Sequence, residues 1–535
     1  MIPLRVRTGA PPRLAIPLRP THLALTPSLP TTAYDDAPSR SVRARLLAWM
    51  WSERWLLCIF FGALAVRLHW NLEVHPLGDY VYSDMHGYVA RAERLIDEFP
   101  KPHEYSAFFP FGTHWMVAAV KLLFGESADT ALSVWYALIG ASTVSMAYAV
   151  ARRASGFAIV PPAVGLLGIF YYPHFSLGGY ILSEPPYTFF LVGAVLSILR
   201  MADHGRRRDA LALGAFAGVG ALFRPQLLLS AALVGLFWIV RRKTLSNIRF
   251  SHLMLSAIPL AVCLLGASIH LHHNTGRYGL ISENGSFNLV FGRCHNSKIE
   301  SLPDGKGHGK VHFRPPPLLQ VVNAQDKARR ERVQPALSMN PAFGDTFSYR
   351  GYIGDNAQHH EYIRRCYEKT KLGGQLRYSW DNMSLLWFHN IPWPDSGRAA
   401  WRNVATWWTA MHREWIMVPS LLGLLWVLVP GRRGARMGLI ALQPIALMML
   451  AALFFGGIRH RAPYDLLLIL LAFETYALAG VLAWRLVQRF RGGGGAGIGG
   501  GADAGPEGAA TAGDVGGAGD ATSSSGSPAQ NSSSS

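Results

Sequence analysis

Residues 464–484 read YDLLLILLAFETYALAGVLAW, a block with two charged side chains, Asp465 and Glu474. A helix of about 20 mostly apolar residues crosses the roughly 30 Å hydrocarbon core of a bilayer. Nine similar blocks lie at 55–70, 131–150, 157–173, 185–202, 210–223, 226–240, 253–271, 414–430 and 437–457. None alternates polar and apolar residues as a barrel strand does. The sequence therefore predicts an all-α polytopic membrane protein with about ten transmembrane helices, since helices satisfy their own backbone hydrogen bonds in lipid.

Basic residues in the short connections predict the orientation of these helices. Six clusters occur: Arg43 and Arg45; Arg152 and Arg153; Arg206 to Arg208; Arg241 to Lys243; Arg432, Arg433 and Arg436; and Arg485, Arg489 and Arg491. Lys and Arg near helix ends remain on the cytoplasmic side. The clusters fall on every second connection, as ten spans require. Both termini are predicted to be cytoplasmic, in a cell membrane and most simply a bacterial inner membrane.

The net charge of +18 does not indicate a nucleic-acid partner. Much of it lies in the predicted cytoplasmic clusters, where it meets anionic lipids, and no nucleic-acid-binding motif is found. Residues 1–50 are rich in Pro and Arg, and residues 491–535 consist mainly of Gly, Ala and Ser. Such compositions bury too little apolar surface to fold. Both ends are predicted to be disordered cytoplasmic extensions, and the expected partners include membrane lipids.

The rest of the chain divides into three predicted regions. Residues 51–271 hold transmembrane helices 1–7, with a first exterior loop at 71–130 that carries the catalytic candidates. Residues 272–413 mix Trp, Tyr and Pro with polar residues and are predicted to form a small extracytoplasmic loop domain. Residues 414–490 hold helices 8–10. Function is expected on the exterior side, because the long polar segments lie there.

Two of the four cysteines, Cys294 and Cys366, lie in the long exterior loop, whereas Cys58 and Cys263 lie in spans. An oxidising compartment would allow the first two to pair. Spacing alone does not fix connectivity. The sequence does not distinguish a disulfide between Cys294 and Cys366 from two free thiols.

An amphipathic helix is predicted in the first exterior loop, starting beside Asp84. Apolar positions recur at helical spacing: Met85, Tyr88, Val89, Ala92, Leu95, Ile96 and Phe99. The opposite face carries Arg91, Glu93, Arg94, Asp97 and Glu98. Such a helix suits the membrane interface. Asp84 either complements the helix dipole or takes a proton from an acceptor hydroxyl or binds a cation.

Further charged residues are predicted at the exterior ends of spans. Glu184, followed by Pro185, opens the fourth span, either as a helix-starting acid or as a functional carboxylate at the hydrocarbon edge. Arg224 interrupts an apolar hairpin, and Arg459 and Arg461 flank His460 in the turn before the last span. Exterior arginines are suited to binding a phosphate in a bidentate fork. The alternative is snorkelling toward lipid headgroups.

These features together resemble a known family. The stretches SDMHGYVARAERL, FFPFGTHWMVAAVKLLFG, LSEPPYTFFL, GVGALFRPQLLL, NGSFNLVFGRC and RHRAPYDLLLILLAF follow one another in order. Their order is similar to that in the polyprenyl-phosphate-sugar-dependent glycosyltransferases of the GT-C superfold, across roughly residues 50 to 490. That group includes protein O-mannosyltransferases and the aminoarabinose transferase of lipid A.

The resemblance implies transfer of a sugar from a polyprenyl-phosphate donor to an extracytoplasmic acceptor hydroxyl on a glycan, lipid or protein, with inversion. It implies Asp84 as general base or metal-associated carboxylate and Glu184 as a second acidic group lining the site. The implied substrate-binding residues are Arg224, Arg459 and Arg461 at the donor phosphate, Asn284, Asn288 and Gly292 in a loop over the cavity, and also His460 and Tyr88.

The chain departs from the family pattern at two points. Gly292 is followed by Arg293 where many relatives have Gly-Asn, and His86 stands where the protein mannosyltransferases have a second carboxylate. A divalent metal ion is therefore left open, with His86 as a candidate ligand. Two other functions are also open: a secondary transporter, and a glycan ligase or polymerase that uses diphosphate-linked donors. No internal repeat of the transporter kind is found.

Overall fold

The computed structural model describes residues 53–294, 298–300, 310–312, 336–338, 346–348, 356–388, 394–395 and 399–493. Most of both predicted disordered ends, and much of the predicted loop domain, lie outside these described residues. Residues up to Gly480 form one compact unit. A second unit, Val481–Ser535, is described only as far as Gly493, where the last helix ends.

Eighteen α-helices occur among the described residues. They are α1 Arg54–His69, α2 Asp84–Glu98, α3 Glu104–Phe108, α4 Gly112–Phe124, α5 Ala128–Ala154, α6 Val160–Phe170, α7 Tyr172–Phe175, α8 Glu184–His204, α9 Arg207–Phe223, α10 Leu227–Arg241, α11 Phe250–Thr275, α12 Gly285–Arg293, α13 Asn356–Phe388, α14 Ala399–Met411, α15 Val418–Gly423, α16 Gly431–Leu453, α17 Ile458–Arg461 and α18 Asp465–Gly493. A π-helix, Trp70–Val74, extends α1, and another, His412–Met417, joins α14 to α15. Short 3-10 helices lie at Leu77–Tyr80, Gly125–Ser127, Ser176–Gly179, Leu424–Val427 and Ala462–Tyr464.

The prediction of an all-α polytopic membrane protein is confirmed. Six stretches of the described chain are long and apolar enough to cross a membrane: Arg54–Val74, Gly112–Ala154, Glu184–His204, Phe250–Thr275, Gly431–Leu453 and Ile458–Phe490. Two shorter apolar helices are Val160–Phe170 and Leu227–Arg241. Each of the ten predicted blocks falls largely on helical residues. The total of ten spans remains a prediction.

Helix α11 carries an apolar stripe on the outside of the bundle. The side chains at Met254, Ile258, Val262, Leu265 and Ile269 are each 50% to 65% exposed. Their spacing of three and four residues places them on one helix face. A soluble protein rarely exposes so continuous an apolar surface. The stripe is the surface expected of a helix that faces lipid.

The bundle core is formed by helices that pack side by side. α9 packs against α8 and α11, and α5 packs against α1 and α8. Small residues allow close approach between them: a Cβ at Gly214 of α9 would collide with the carbonyl oxygen of Ser256 in α11. Close backbone packing at small residues is a common way for helices to associate in lipid.

Helix α2 is amphipathic as predicted, with Met85, Tyr88 and Ala92 buried against the protein. The assignment of Arg91 to its polar face is wrong. Arg91 has no exposed surface, its guanidinium lies 3.7 Å from the ring centroid of Tyr105, and its Nε donates to the Tyr105 carbonyl at 2.9 Å. The cation stays buried because the aromatic ring and backbone carbonyls replace its water.

Between α11 and α14, the described residues include two short antiparallel hairpins and the helices α12 and α13. β1 Lys298–Glu300 pairs with β2 Lys310–His312, and β3 Ala336–Ser338 pairs with β4 Thr346–Ser348. A disulfide joins Cys294, at the end of α12, to Cys366 in α13. This resolves the alternative that the sequence left open and ties the two helices together.

Candidate active site

A cavity of about 300 Å³ opens between α2, the end of α9, the start of α12 and the end of α16. Seven of the residues predicted for the site line it: Asp84, Tyr88, Arg224, Asn284, Asn288, Arg459 and His460. They come from four separate parts of the chain, namely α2, the turn between α9 and α10, α12 and α17. The fold therefore assembles one polar wall from segments that are distant in sequence.

Local sequence explains how the charged residues reach this wall. Helix α8 starts at Glu184 with prolines in its first turn, where a missing N–H costs nothing. Helix α9 ends at Phe223 because Pro225 disfavours a helical conformation at Arg224, whose backbone is extended. The side chain of Arg224 is thereby released from the helix and turned toward Glu184.

Arg459 bridges the two candidate carboxylates. Its Nη1 donates to Oδ2 of Asp84 at 2.7 Å, and its Nε donates to Oε1 of Glu184. Arg224 donates through Nη2 to the same Glu184 oxygen at 2.6 Å and through Nε to Oγ of Ser183 at 3.1 Å. Two carboxylates and two guanidinium groups thus form one connected network with no formal net charge.

The two carboxylates differ in exposure. The Asp84 side chain is 36% exposed and lines the cavity, whereas the Glu184 side chain is fully buried behind the wall. A buried ion pair depends on its partners, since an unpaired charge there would be costly. Asp84 is thus the carboxylate accessible from the cavity, and Glu184 holds the two arginines.

Tyr88 lines the cavity one helical turn after Asp84. Burial, together with the carboxylates of Asp84 and Glu184, raises the pKa of Tyr88. The phenol therefore keeps its proton at neutral pH and can donate a hydrogen bond to a ligand oxygen.

Three other predicted residues lie elsewhere. Arg461 is 1% exposed, and it donates to Asp465 Oδ1 and to the Leu386 carbonyl, each at 2.9 Å. Gly292 packs at the far end of α12, where a Cβ would collide with the carbonyl oxygen of Phe454. His86 is exposed on α2 and does not line the cavity. The structure does not bring these three residues to the cavity.

The sequence reasoning missed an apolar wall of the cavity. Leu447, Leu450, Ala451, Phe454 and Phe455 line it from the end of α16 and the residues that follow. The first four of these residues occupy positions i, i+3, i+4 and i+7, which lie on one face of a helix. That signal was present in the sequence, but it does not distinguish a cavity wall from ordinary core packing.

Binding of a metal ion at the site remains a prediction from the sequence. Within the described ranges, no group of three or more His, Cys, Asp or Glu side chains is arranged to hold a metal ion. The role of His86 as a ligand remains a prediction.

Comparison with known proteins supports a membrane glycosyltransferase of the GT-C type. Residues 109–266 match the family model of dolichyl-phosphate-mannose-protein mannosyltransferases. The match confirms the resemblance drawn from the sequence motifs, and the matched segment includes Glu184 and Arg224. A search of curated proteins found no significant match.

Proposed function

We propose that this protein transfers a sugar, a hexose or a pentose, from a polyprenyl-phosphate donor to an acceptor hydroxyl outside the membrane. The observation that carries the proposal is the cavity in which an accessible carboxylate, Asp84, lies beside a buried arginine network. The network of Arg224, Arg459 and Glu184 supports binding of a phosphate, and the apolar wall formed by α16 supports binding of a lipid next to it.

The proposed reaction is a single displacement. Asp84 takes the proton of the acceptor hydroxyl as its oxygen attacks the anomeric carbon of the donor. The bond between that carbon and the phosphate oxygen breaks, and the lipid phosphate leaves with the electron pair. Attack from the face opposite the leaving group inverts the anomeric configuration. Nearby N–H donors stabilise the charge that develops on the leaving phosphate.

The other site residues have distinct proposed roles. Arg459 orients Asp84, and Glu184 positions Arg459 and Arg224 from behind the wall. Arg461 is a positioning residue that anchors the turn carrying Arg459 through Asp465. Asn284 and Asn288 contact the substrate from α12, and Tyr88 and His460 complete the polar wall.

We also propose the location and domain arrangement expected from the sequence. The cavity faces the exterior or periplasm of a bacterial inner membrane, and the cytoplasmic side carries both termini. Residues 272–413 form the extracytoplasmic loop domain, and residues 71–130 form the catalytic first exterior loop. The acceptor is a glycan, a lipid or a protein.

The test is consumption of radiolabelled polyprenyl donors by the purified chain in proteoliposomes, with cell-envelope extracts as acceptor. The panel pairs each monophosphate-linked sugar with its diphosphate-linked counterpart. We expect label to leave a monophosphate donor in the native chain and to remain on it in Asp84→Asn. Label leaving only diphosphate donors would favour a ligase or polymerase. If no donor is consumed while a labelled solute crosses the same vesicles, the transporter hypothesis replaces this one.

A further inference from the structure

A chain of buried polar side chains lies behind α17, the helix that carries Arg459. Arg461 Nε donates to Oδ1 of Asp465 at 2.9 Å, and the hydroxyl of Tyr171 donates to Oδ2 of the same carboxylate at 3.0 Å. The Tyr171 oxygen also lies 2.6 Å from Nδ1 of His412. Arg461 is 1% exposed, and the other three side chains are fully buried. The four side chains form one continuous network inside the protein.

The hydrogen bonds of this network run in one direction. A guanidinium keeps its positive charge in proteins, so Arg461 is paired with Asp465 as an anion. Both oxygens of that carboxylate accept hydrogen bonds, and the single hydroxyl proton of Tyr171 points to one of them. The Tyr171 oxygen therefore accepts a hydrogen bond from His412, which places the imidazole proton on Nδ1. Removal of the Tyr171 hydroxyl would break two hydrogen bonds at once.

The network connects α17 to four other parts of the chain. Tyr171 lies between α6 and α7, Asp465 begins α18, and His412 begins the π-helix that follows α14. Arg461 also donates through Nη1 to the Leu386 carbonyl of α13 at 2.9 Å. π-helical turns are rare and are frequently found at functional sites. The buried side chains therefore tie α17 to both α13 and the end of α14.

The short helix α17 depends on side-chain contacts for its orientation. It consists of four residues and follows two glycines, Gly456 and Gly457. Glycine leaves the backbone freer than any other residue, and a helix of one turn is not stable by itself. The pairing of Arg461 with Asp465 therefore helps to hold α17 in place.

Arg459 lies two residues before Arg461 in the same helix. It donates to Asp84 at 2.7 Å and also to Glu184. A rotation of α17 would move Arg459 and, with it, the carboxylate of the proposed base. Such a shift matters because a misplacement of about 1 Å can reduce the rate of an enzyme about 100-fold. The position of the base is therefore coupled to side chains that do not line the cavity.

We propose that Tyr171 and His412 are positioning residues for the transfer reaction. They act through Asp465 and Arg461, which hold α17 in the orientation that Arg459 needs to fix the proposed base. This inference rests on the proposed function and deepens it, because it adds two residues that lie outside the cavity. Neither residue exchanges a proton with the substrate.

The experiment measures sugar transfer from a polyprenyl-phosphate donor by the purified full-length chain in proteoliposomes. Tyr171→Phe removes only the hydroxyl. His412→Leu removes the imidazole donor, whereas His412→Asn keeps an N–H close to the position of Nδ1. The matched control is Tyr180→Phe, because Tyr180 is also fully buried and donates to a buried carboxylate, that of Asp395, at 2.8 Å. Melting temperatures compare the stability of all variants.

We expect kcat to fall about 10- to 100-fold in Tyr171→Phe and in His412→Leu, as expected for a misplaced catalytic group, with an unchanged KM for the donor. His412→Asn should recover most of the lost rate. Tyr180→Phe should keep the native kcat even if its melting temperature falls as far as that of Tyr171→Phe. A purely structural role would lower the melting temperature of both tyrosine variants and leave kcat native in both.

A double variant tests whether the effect passes through Arg459. Residues that act as a unit have effects on rate that do not add. Arg459→Lys combined with Tyr171→Phe should therefore transfer sugar at about the rate of Arg459→Lys alone. Losses that add in the double variant would overturn the inference.

The inference and the proposed function can fail separately. If the native chain transfers the sugar and Tyr171→Phe and His412→Leu both keep the native kcat, the inference is overturned and the proposed function stands. If the native chain consumes no polyprenyl-phosphate donor, both are overturned.

Discussion

Arg459 and Asp84 are 375 residues apart in sequence, yet Nη1 of Arg459 donates to Oδ2 of Asp84 at 2.7 Å. The same guanidinium also contacts the buried Glu184. One arginine thus links the start of α2 to the start of α8. The contact fixes where the Asp84 carboxylate points. The proposed base beside the cavity requires such a fixed orientation.

The first prediction concerns Glu184, whose substitution should destabilise the fold. Glu184→Gln leaves the buried Arg224 and Arg459 without their shared anion, and breaking a buried pair costs about 3–5 kcal/mol. The matched control is Glu93→Gln, which breaks an exposed pair with Lys121 at 2.7 Å and should cost at most about 1 kcal/mol. Thermal unfolding in detergent measures both. Equal losses of stability in the two variants would show that the buried network stabilises the fold no more than the exposed pair does.

The second prediction concerns Gly292, for which the structure favours a packing role. Asn382 Nδ2 donates to the Gly292 carbonyl at 2.9 Å and to the Phe454 carbonyl at 3.1 Å, which joins three chain segments. Gly292→Ala should therefore cost about 1–3 kcal/mol through overpacking. Gly266→Ala should be tolerated, since its Cβ meets open space. A native-like melting temperature for Gly292→Ala would contradict this account.

The third prediction concerns pH. Asp395 is 3% exposed, and burial raises its pKa from 3.8 to about 6, although Tyr180 donates to it at 2.8 Å. The folded state therefore holds a proton that the unfolded state releases, and stability falls as pH rises from about 4 through about 6. The change is roughly 3 kcal/mol at most.

Asp395→Asn removes this proton equilibrium. The difference in melting temperature between the native chain and Asp395→Asn should therefore vary between pH 4 and pH 7, with the native chain relatively less stable at the upper end. Asp97→Asn, at an exposed position on α2, should show no such variation. A pH-independent difference for Asp395→Asn would refute the buried-acid assignment.

The fourth prediction concerns the disulfide between Cys294 and Cys366, which are 72 residues apart. On the chain-entropy account, closing a loop of that length stabilises the folded state by about 4 kcal/mol. Cys294→Ser, Cys366→Ser and the double variant should each lower the melting temperature by the same amount. They should also weaken donor binding, because the bridge holds the end of α12, whose start lines the cavity. Cys58→Ser, at an exposed free thiol, is the control. Unequal effects of the two single variants would argue against the bridge.

Much of the fold could be predicted because lipid imposes simple constraints on sequence. Apolar blocks and helical periodicity identified the membrane helices and α2. Arg91 was assigned to the wrong face because the position of its partner Tyr105 is set by how the chain folds back beyond α2. Periodicity describes the helix alone, and it does not show that a ring and two carbonyls can replace water around a cation.

The site was predictable in part. Glu184 was singled out because a charge is costly at the membrane edge, and Asp84 because it starts the amphipathic helix. Arg224 and Arg459 were singled out because exterior arginines are suited to binding a phosphate. Their pairing was not predictable, since it joins segments hundreds of residues apart. The sequence analysis also placed Arg461 at the donor phosphate beside Arg459, and helix geometry explains why the two side chains face different ways. Successive residues of an α-helix turn by about 100°, so residues two apart face nearly opposite sides. In α17, Arg459 faces the cavity and Arg461 faces Asp465.

The most direct test of the central claim is the kinetic effect of Asp84→Asn on sugar transfer from a polyprenyl-phosphate donor, measured beside Asp97→Asn on the same helix. General-base catalysis is worth about 10²- to 10⁴-fold in rate. The account predicts a loss of at least 100-fold in kcat for Asp84→Asn, with donor binding retained and Asp97→Asn unaffected. Transfer by Asp84→Asn at the native rate would contradict the assignment of Asp84 as the base.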